Sequence, residues 1–141
     1  MCTEKGESSN PLYWAAVPVL LAIALGGALG SMARWAVEAL LPASPAGWPW
    51  GTLTVNVVGA LAIGVLAGSA RLRSAPAWVR PLVITGVLGG FTTVSALAGE
   101  TVALLDSGQA PLALGYVGVT LAAGLVAVRL GARAGVVLEP R

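Results

Sequence analysis

Long stretches without a charged residue determine what this chain can fold into. They run Ala15–Ala33, Ala39–Ala70, Pro81–Gly99 and Ser107–Val128, and about 20 apolar residues cross a bilayer as a helix. The second run has a proline-rich start, so its helix is expected to begin near Gly51. The pattern predicts an all-α membrane protein in which residues 1–141 form one domain of four transmembrane helices, at about 15–40, 51–70, 80–104 and 110–131.

Composition narrows the function classes. Only 10% of the residues are charged, against roughly 25% in soluble domains, whose surface must be wetted. Histidine is absent and Cys2 is the single cysteine, which excludes Cys/His zinc sites, histidine catalysis and an intrachain disulfide. Since no nucleophile–base pair or metal-ligand cluster is recognisable either, we expect that the protein is not an enzyme.

The basic residues are distributed unevenly over the two membrane sides. With four spans, one side carries Lys5, Arg71, Arg73, Arg80, Arg129, Arg133 and Arg141, and only Arg34 falls toward the other side. The positive-inside rule therefore predicts that both termini are cytoplasmic. The same bias explains the isoelectric point of 9.2 without nucleic-acid binding.

Small residues recur at helical spacing in three of the predicted helices. Because lipid gives helices no hydrophobic reason to associate, such rows allow close backbone packing. They predict a compact bundle that also forms an oligomer. The rows are Gly26 and Gly30, then Ala60, Gly64 and Gly68, then Gly115, Gly118 and Gly124.

A few polar side chains interrupt the apolar runs. Arg34 either borders an ion route or reaches the headgroups with help from Glu38. Asn56 either lines such a route or makes an interhelical hydrogen bond. Tyr116 and Thr120 are four residues apart, so they share one face of the fourth helix; Tyr116 either belongs to such a route or anchors the helix at the membrane interface.

The segment GVLGGFTTVSALAGE, residues 86–100, places Gly89 and Gly90 at the centre of the third helix, followed by Thr92, Thr93 and Ser95. Adjacent glycines permit a break at mid-membrane, and a break frees backbone groups that need new partners. Unwound carbonyls in transporters often coordinate cations. The segment predicts a broken third helix with an ion site.

Three segments together resemble the fluoride channel family (Fluc, also called CrcB). They are GGALGSMARW in the first helix, GTLTVNVVGALAIG in the second and GVLGGFTTVSALAGE in the third. The resemblance implies a fluoride-selective channel in a bacterial cell (inner) membrane. It lets fluoride leave the cytoplasm passively and works as an antiparallel dimer.

The resemblance also implies roles for particular positions. A structural sodium ion would be held at the dimer centre by the backbone carbonyls of Gly89 and Thr92. Arg34 would lie at a pore vestibule. The fluoride pathway would comprise Asn56, Thr93, Ser95, Tyr116 and Thr120; amide and hydroxyl donors there would replace the water of the ion.

Two departures from the family pattern point to an unusual dimer. The family places phenylalanines where this chain has Val94 and Leu97, and neither side chain offers the positively polarised edge of an aromatic ring. The strong Lys/Arg bias is also unexpected for a chain that inserts in both orientations. We therefore hypothesise a heterodimer whose partner, a homologous chain of opposite orientation, carries the phenylalanines; the alternative partner is a second copy of this chain.

Two other functions are considered from the sequence. A small multidrug exporter has a similar size, but it needs a membrane-embedded carboxylate, and the first helix lacks a mid-span acid. A non-conducting regulatory or scaffold subunit is compatible with the missing phenylalanines.

Overall fold

Four apolar helices dominate the computed structural model, which describes residues 11–42 and 47–137, with side chains from residue 16 onward. Cys2, Lys5 and Arg141 lie outside the described residues. The helices long and apolar enough to cross a membrane are span 1 (Ala16–Leu40), span 2 (Trp50–Gly68), span 3 (Pro81–Asp106) and span 4 (Ala110–Val137). This confirms the predicted four-span, all-helical membrane protein, with no strand in the described ranges.

The connections between the spans are short. The helix of span 1 starts at Pro11. The predicted basic loop after span 2 contains a one-turn helix, Ala70–Ser74. Between spans 3 and 4 the chain turns at Gly108, whose φ of +77° favours a residue without a Cβ. Spans 1 and 3 run in the same direction and span 2 runs in the opposite one. The starts of spans 1 and 3 therefore lie at the same end as the end of span 2.

Span 1 packs on the first half of span 3 through glycines. An added methyl group at Gly26 would come within 2.9 Å of the Val87 nitrogen, and one at Gly30 within 2.9 Å of the Phe91 nitrogen. From the other side, a methyl group at Gly86 would approach the Gly26 Cα to 3.0 Å. The predicted close packing at Gly26 and Gly30 is therefore confirmed.

Spans 2 and 4 form a second glycine-lined contact. A methyl group at Gly64 would come within 2.9 Å of the Ala132 nitrogen, and one at Gly68 would approach the Ala132 carbonyl. On span 4 the corresponding glycines are Gly131 and Gly135. The prediction for span 2 is confirmed.

The predicted glycine row of span 4 was wrong for contacts within the chain. At Gly115, Gly118 and Gly124 an added methyl group meets no atom within 4 Å. Gly115 and Gly118 flank Tyr116 and are exposed, whereas Tyr116 is buried. Spacing alone does not reveal which of several possible rows on a helix faces a neighbour.

Span 3 changes its backbone conformation three times. Pro81–Leu88 is a π-helix, and it is followed by one α-helical turn, Gly89–Phe91. Thr92 (φ −77°, ψ 155°) and Thr93 (φ −147°, ψ 124°) are extended. A regular α-helix resumes over Val94–Asp106.

Candidate functional site

The extended pair Thr92 and Thr93 leaves carbonyl groups without their helical donors. In a continuous helix the Gly89 carbonyl would accept from the Thr93 amide. Here the Thr93 amide donates instead to Asn56 Oδ1 at 2.8 Å. Likewise, in a continuous helix the Ala96 amide would donate to the Thr92 carbonyl, but here it donates to Thr93 Oγ1 at 3.1 Å. The carbonyls of Gly89 and Thr92 thus lose the donors that an uninterrupted helix supplies.

Asn56 on span 2 satisfies both main-chain groups of Thr93. Its Nδ2 donates to the Thr93 carbonyl at 2.9 Å, while its Oδ1 accepts from the Thr93 amide. The interhelical hydrogen bond considered from the sequence is therefore present. It uses one of the two Nδ2 hydrogens, so one donor remains for another partner.

Thr93 and Ser95 start the second half of span 3. Thr93 is 7% exposed, and its hydroxyl caps the helix by accepting from Ala96. The same oxygen lies 3.1 Å from Ser95 Oγ. Ser95 is exposed, so of the two hydroxyls it is the one open to a ligand from outside the chain.

Arg34 contacts the backbone of span 3 just before the extended pair Thr92 and Thr93, which is called the interruption below. Its Nε donates to the Gly90 carbonyl at 3.2 Å, and Ser31 Oγ lies 3.5 Å from the same oxygen. Its Nη1 is 3.9 Å from Glu38 Oε1. The guanidinium thus serves one carbonyl that the extended pair frees and adds positive charge next to span 3.

Glu100, the last residue of the segment 86–100, lies at the centre of a polar cluster. Tyr116 Oη donates to Glu100 Oε2 at 2.6 Å, and Thr52 Oγ1 donates to Glu100 Oε1 at 2.8 Å. Thr52 and Tyr116 are 1% and 0% exposed. A glutamate seven residues after Thr93 lies on the same helical face, and this spacing was the signal that could have identified it.

Thr120 extends the cluster along span 4. It is 5% exposed, and its Oγ1 is buried without a hydrogen-bond partner among the described residues. Because spans 3 and 4 run antiparallel, moving from Tyr116 to Thr120 is moving toward the interruption. A buried hydroxyl without a partner is costly, so this atom marks a place where a ligand or water would be stabilised.

Trp48 closes the cluster at its other end. Its ring meets that of Tyr116 edge-on, with centroids 5.8 Å apart. In the described part of the chain, Trp48 Nε1 and Glu38 Oε1 are buried without hydrogen-bond partners. Neither residue had been assigned to a site from the sequence.

The two positions that lack the family phenylalanines have different surroundings. Val94 is 79% exposed and turns away from the rest of the chain. Leu97 is partly buried and packs against the cluster formed by Leu104, Ala113 and Tyr116. A side chain from outside the chain therefore has access to Val94, whereas Leu97 belongs to the interior next to Tyr116.

Polar groups thus follow the contact of spans 2, 3 and 4, spaced one or two helical turns apart on each span. Thr52 and Asn56 are four residues apart on span 2, Thr93 and Glu100 seven apart on span 3, and Tyr116 and Thr120 four apart on span 4. These six residues are called the polar track below. The fold and this track define a multi-pass membrane protein of the channel or transporter class.

Comparison with known proteins identifies the family. The model of the CrcB-like protein family, Camphor Resistance (CrcB), matches residues 21–132. Fluoride-specific ion channel FluC 1 of Mycolicibacterium paratuberculosis is 45% identical over 81% of this chain and 87% of its own. The chain belongs to the CrcB family, as the resemblance implied.

Further relatives give the same result. Fluoride-specific ion channel FluC of Bordetella bronchiseptica is 45% identical over 79% of this chain and 86% of its own. The fluoride-specific ion channel FluC of Paracoccus denitrificans is 45% identical over 82% of this chain and 92% of its own. These names confirm that the family is not enzymatic, and they do not favour a multidrug exporter or a scaffold subunit.

Proposed function

We propose that this chain is a subunit of a fluoride-selective channel that lets fluoride leave the cytoplasm passively. Membership of the family supports this function, since its relatives at 45% identity carry the name fluoride-specific ion channel. The observation that carries it is the polar track, a line of hydrogen-bonding side chains between three otherwise apolar spans. Such a line offers an anion partners at several depths.

The chemistry of the track suits a small anion. Fluoride holds its water tightly, so a pathway must replace that water with hydrogen-bond donors. The second Nδ2 hydrogen of Asn56, the exposed Ser95 hydroxyl and the unpartnered Thr120 hydroxyl are the donors we assign to it. Tyr116 contributes when its hydroxyl turns from Glu100 to the ion. Arg34 lies at the vestibule and attracts anions.

A structural sodium ion is held by the carbonyls of Gly89 and Thr92 in this proposal. The residues fit the group, because the Thr93 and Ala96 amides that would occupy these carbonyls bond elsewhere. Carbonyl oxygens are suitable ligands for a hard cation. When bound, the ion supplies a fixed positive charge at the interruption of span 3, which we place at mid-membrane.

The functional unit is an antiparallel dimer in a bacterial inner membrane, with both termini of this chain cytoplasmic. The arginines at one end, together with the positive-inside rule, support the orientation. We further infer that the partner is a homologous chain of opposite orientation that supplies phenylalanines. The 79% exposure of Val94 supports this, since a ring from a neighbour can reach that position.

Fluoride efflux from liposomes tests the proposal. The purified chain is reconstituted alone and with a homologous chain, and fluoride release is followed with an electrode after the membrane potential is set to zero. We expect release well above that of empty liposomes, with chloride retained. Absence of fluoride release under both conditions would refute the function, and release from this chain alone, at the rate of the pair, would refute the heterodimer.

A further inference from the structure

A cavity of about 120 Å³ lies at the arginine-rich end of the molecule, away from the polar track. It is formed where the chain leaves span 2 and enters span 3. Its lining consists of Leu66, Ala67, Leu72, Arg73, Arg80 and Ile84. Two cationic side chains therefore border a space that is otherwise apolar.

The positive charge of this cavity is not balanced by nearby acids in the described residues. Glu38, Glu100 and Asp106 all belong to parts of the spans that meet at the opposite end. Arg73 is held over the end of span 2, with its Nη1 3.4 Å from the Ala67 carbonyl. Arg80 is exposed and immediately precedes span 3. Both guanidinium groups are thus in position to receive an anion.

The position of the cavity relative to the spans indicates what kind of anion fits. Leu66 and Ile84 lie inside spans 2 and 3, whereas Arg73 and Arg80 lie outside them. The cavity therefore lies where the two apolar spans end and the arginine-bearing connection between them begins. A free phosphate would use only the arginines, but an amphipathic ligand would use the apolar lining as well.

We propose that this cavity binds an anionic phospholipid. Its phosphate pairs with Arg73 and Arg80, because guanidinium groups bind phosphate oxygens in a bidentate manner. The part of its acyl chains nearest the headgroup covers Leu66 and Ile84. Basic pockets at the ends of membrane helices are suited to such headgroups, and a bound lipid joins the end of span 2 to the start of span 3.

Native mass spectrometry of the full chain in detergent measures this binding directly. Phosphatidylglycerol and phosphatidylcholine with the same acyl chains are compared on the unmodified chain and on the double variant Arg73→Gln/Arg80→Gln. The matched control is Arg129→Gln/Arg133→Gln, which removes the same charge from the same end outside the cavity. We expect the first variant to lose on the order of 10-fold of its phosphatidylglycerol affinity and the control to lose less than twofold.

The remaining outcomes decide between lipid, free phosphate and diffuse charge. Equal losses in both double variants would overturn the proposal, since any surface charge would then suffice. Displacement of the lipid by an equimolar amount of inorganic phosphate would overturn it in favour of a simple anion site. Leu72→Gln should weaken phosphatidylglycerol binding although both arginines remain, and this variant decides the matter if the arginine variant does not fold. Unchanged lipid binding by Leu72→Gln would contradict the role of the apolar lining.

Discussion

Asn56 and Thr93 are joined by two reciprocal hydrogen bonds, in which the side-chain amide of one residue pairs with the backbone amide and carbonyl of the other. The pairing resembles one rung of a β-ladder, formed by a side chain. It satisfies Thr93 where span 3 is extended and fixes span 2 against span 3. In the proposed channel the same amide keeps one hydrogen for an anion, so the proposal gives Asn56 a role in both stability and permeation.

Asn56→Asp keeps one of the two hydrogen bonds with Thr93 and removes the other. The carboxylate still accepts from the Thr93 amide, but it cannot donate to the Thr93 carbonyl, and it repels an anion. We expect fluoride flux to fall by at least about 100-fold, with a loss of about 1–3 kcal/mol in unfolding free energy. Efflux from liposomes and unfolding in mixed micelles measure the two effects. Thr54→Val, two residues away on the same helix, is the control and should retain flux; unchanged flux in Asn56→Asp would remove Asn56 from the pathway.

Tyr116→Phe removes the hydroxyl that donates to Glu100 and leaves the ring against Trp48. We expect roughly a 10-fold loss of flux at a stability cost of about 1 kcal/mol, typical of one hydrogen bond. Thr52→Val should interact non-additively with it, because both hydroxyls serve the same carboxylate. A double-mutant cycle on flux measures the coupling. Strict additivity would show that the Glu100 cluster is not one functional unit.

Gly26→Ala and Gly27→Ala form a matched pair on neighbouring positions of span 1. A methyl group at Gly26 would meet the backbone of span 3, whereas one at Gly27 meets no atom within 4 Å. We expect Gly26→Ala to destabilise the protein by about 1–3 kcal/mol, as overpacking does, and Gly27→Ala to be neutral or slightly stabilising. Unfolding in mixed micelles compares them. Equal stability of the two variants would contradict the close contact of spans 1 and 3.

Removal of sodium should inactivate the channel. Prolonged exchange of the purified protein into sodium-free buffer with an organic cation is expected to lower both fluoride flux and thermal stability, and sodium should restore them. Gly89→Val should weaken the response, because it disturbs the backbone that presents the carbonyl. Flux that persists without sodium, in the chain and in the variant, would show that the interruption serves packing alone.

Val94→Phe/Leu97→Phe restores the family residues at the two departing positions. If a partner chain normally supplies these rings, the variant alone should conduct at least about 10-fold faster than the unmodified chain alone. Val94 is exposed, so a ring fits there without repacking. Val102→Phe, at another exposed position of the same helix, is the control. No gain over this control in the efflux assay would count against the need for phenylalanines.

Membrane class, the number of spans and the family are determined by the sequence alone. Uncharged runs of about 20 residues leave a chain no folded alternative in water, and three polar motifs in fixed order are specific to the family. The close packing at Gly26, Gly30, Gly64 and Gly68 also follows from spacing, because small residues are what helices in lipid can bring together.

Which polar side chains meet was decided only by the tertiary structure. Nothing in the spacing of Asn56 and Thr93 indicates that one amide satisfies both main-chain groups of the other residue, since the pair lies 37 residues apart on different spans. The hydrogen bonds of Glu100 with Thr52 and Tyr116 likewise join residues of different spans, so spacing along the chain does not reveal them. Helical periodicity specifies the faces of each span, but the rotation of one span against another depends on the sum of all contacts. For the same reason, the spacing of Gly115 and Gly118 predicts a packing face, but it does not show that this face points away from the other spans.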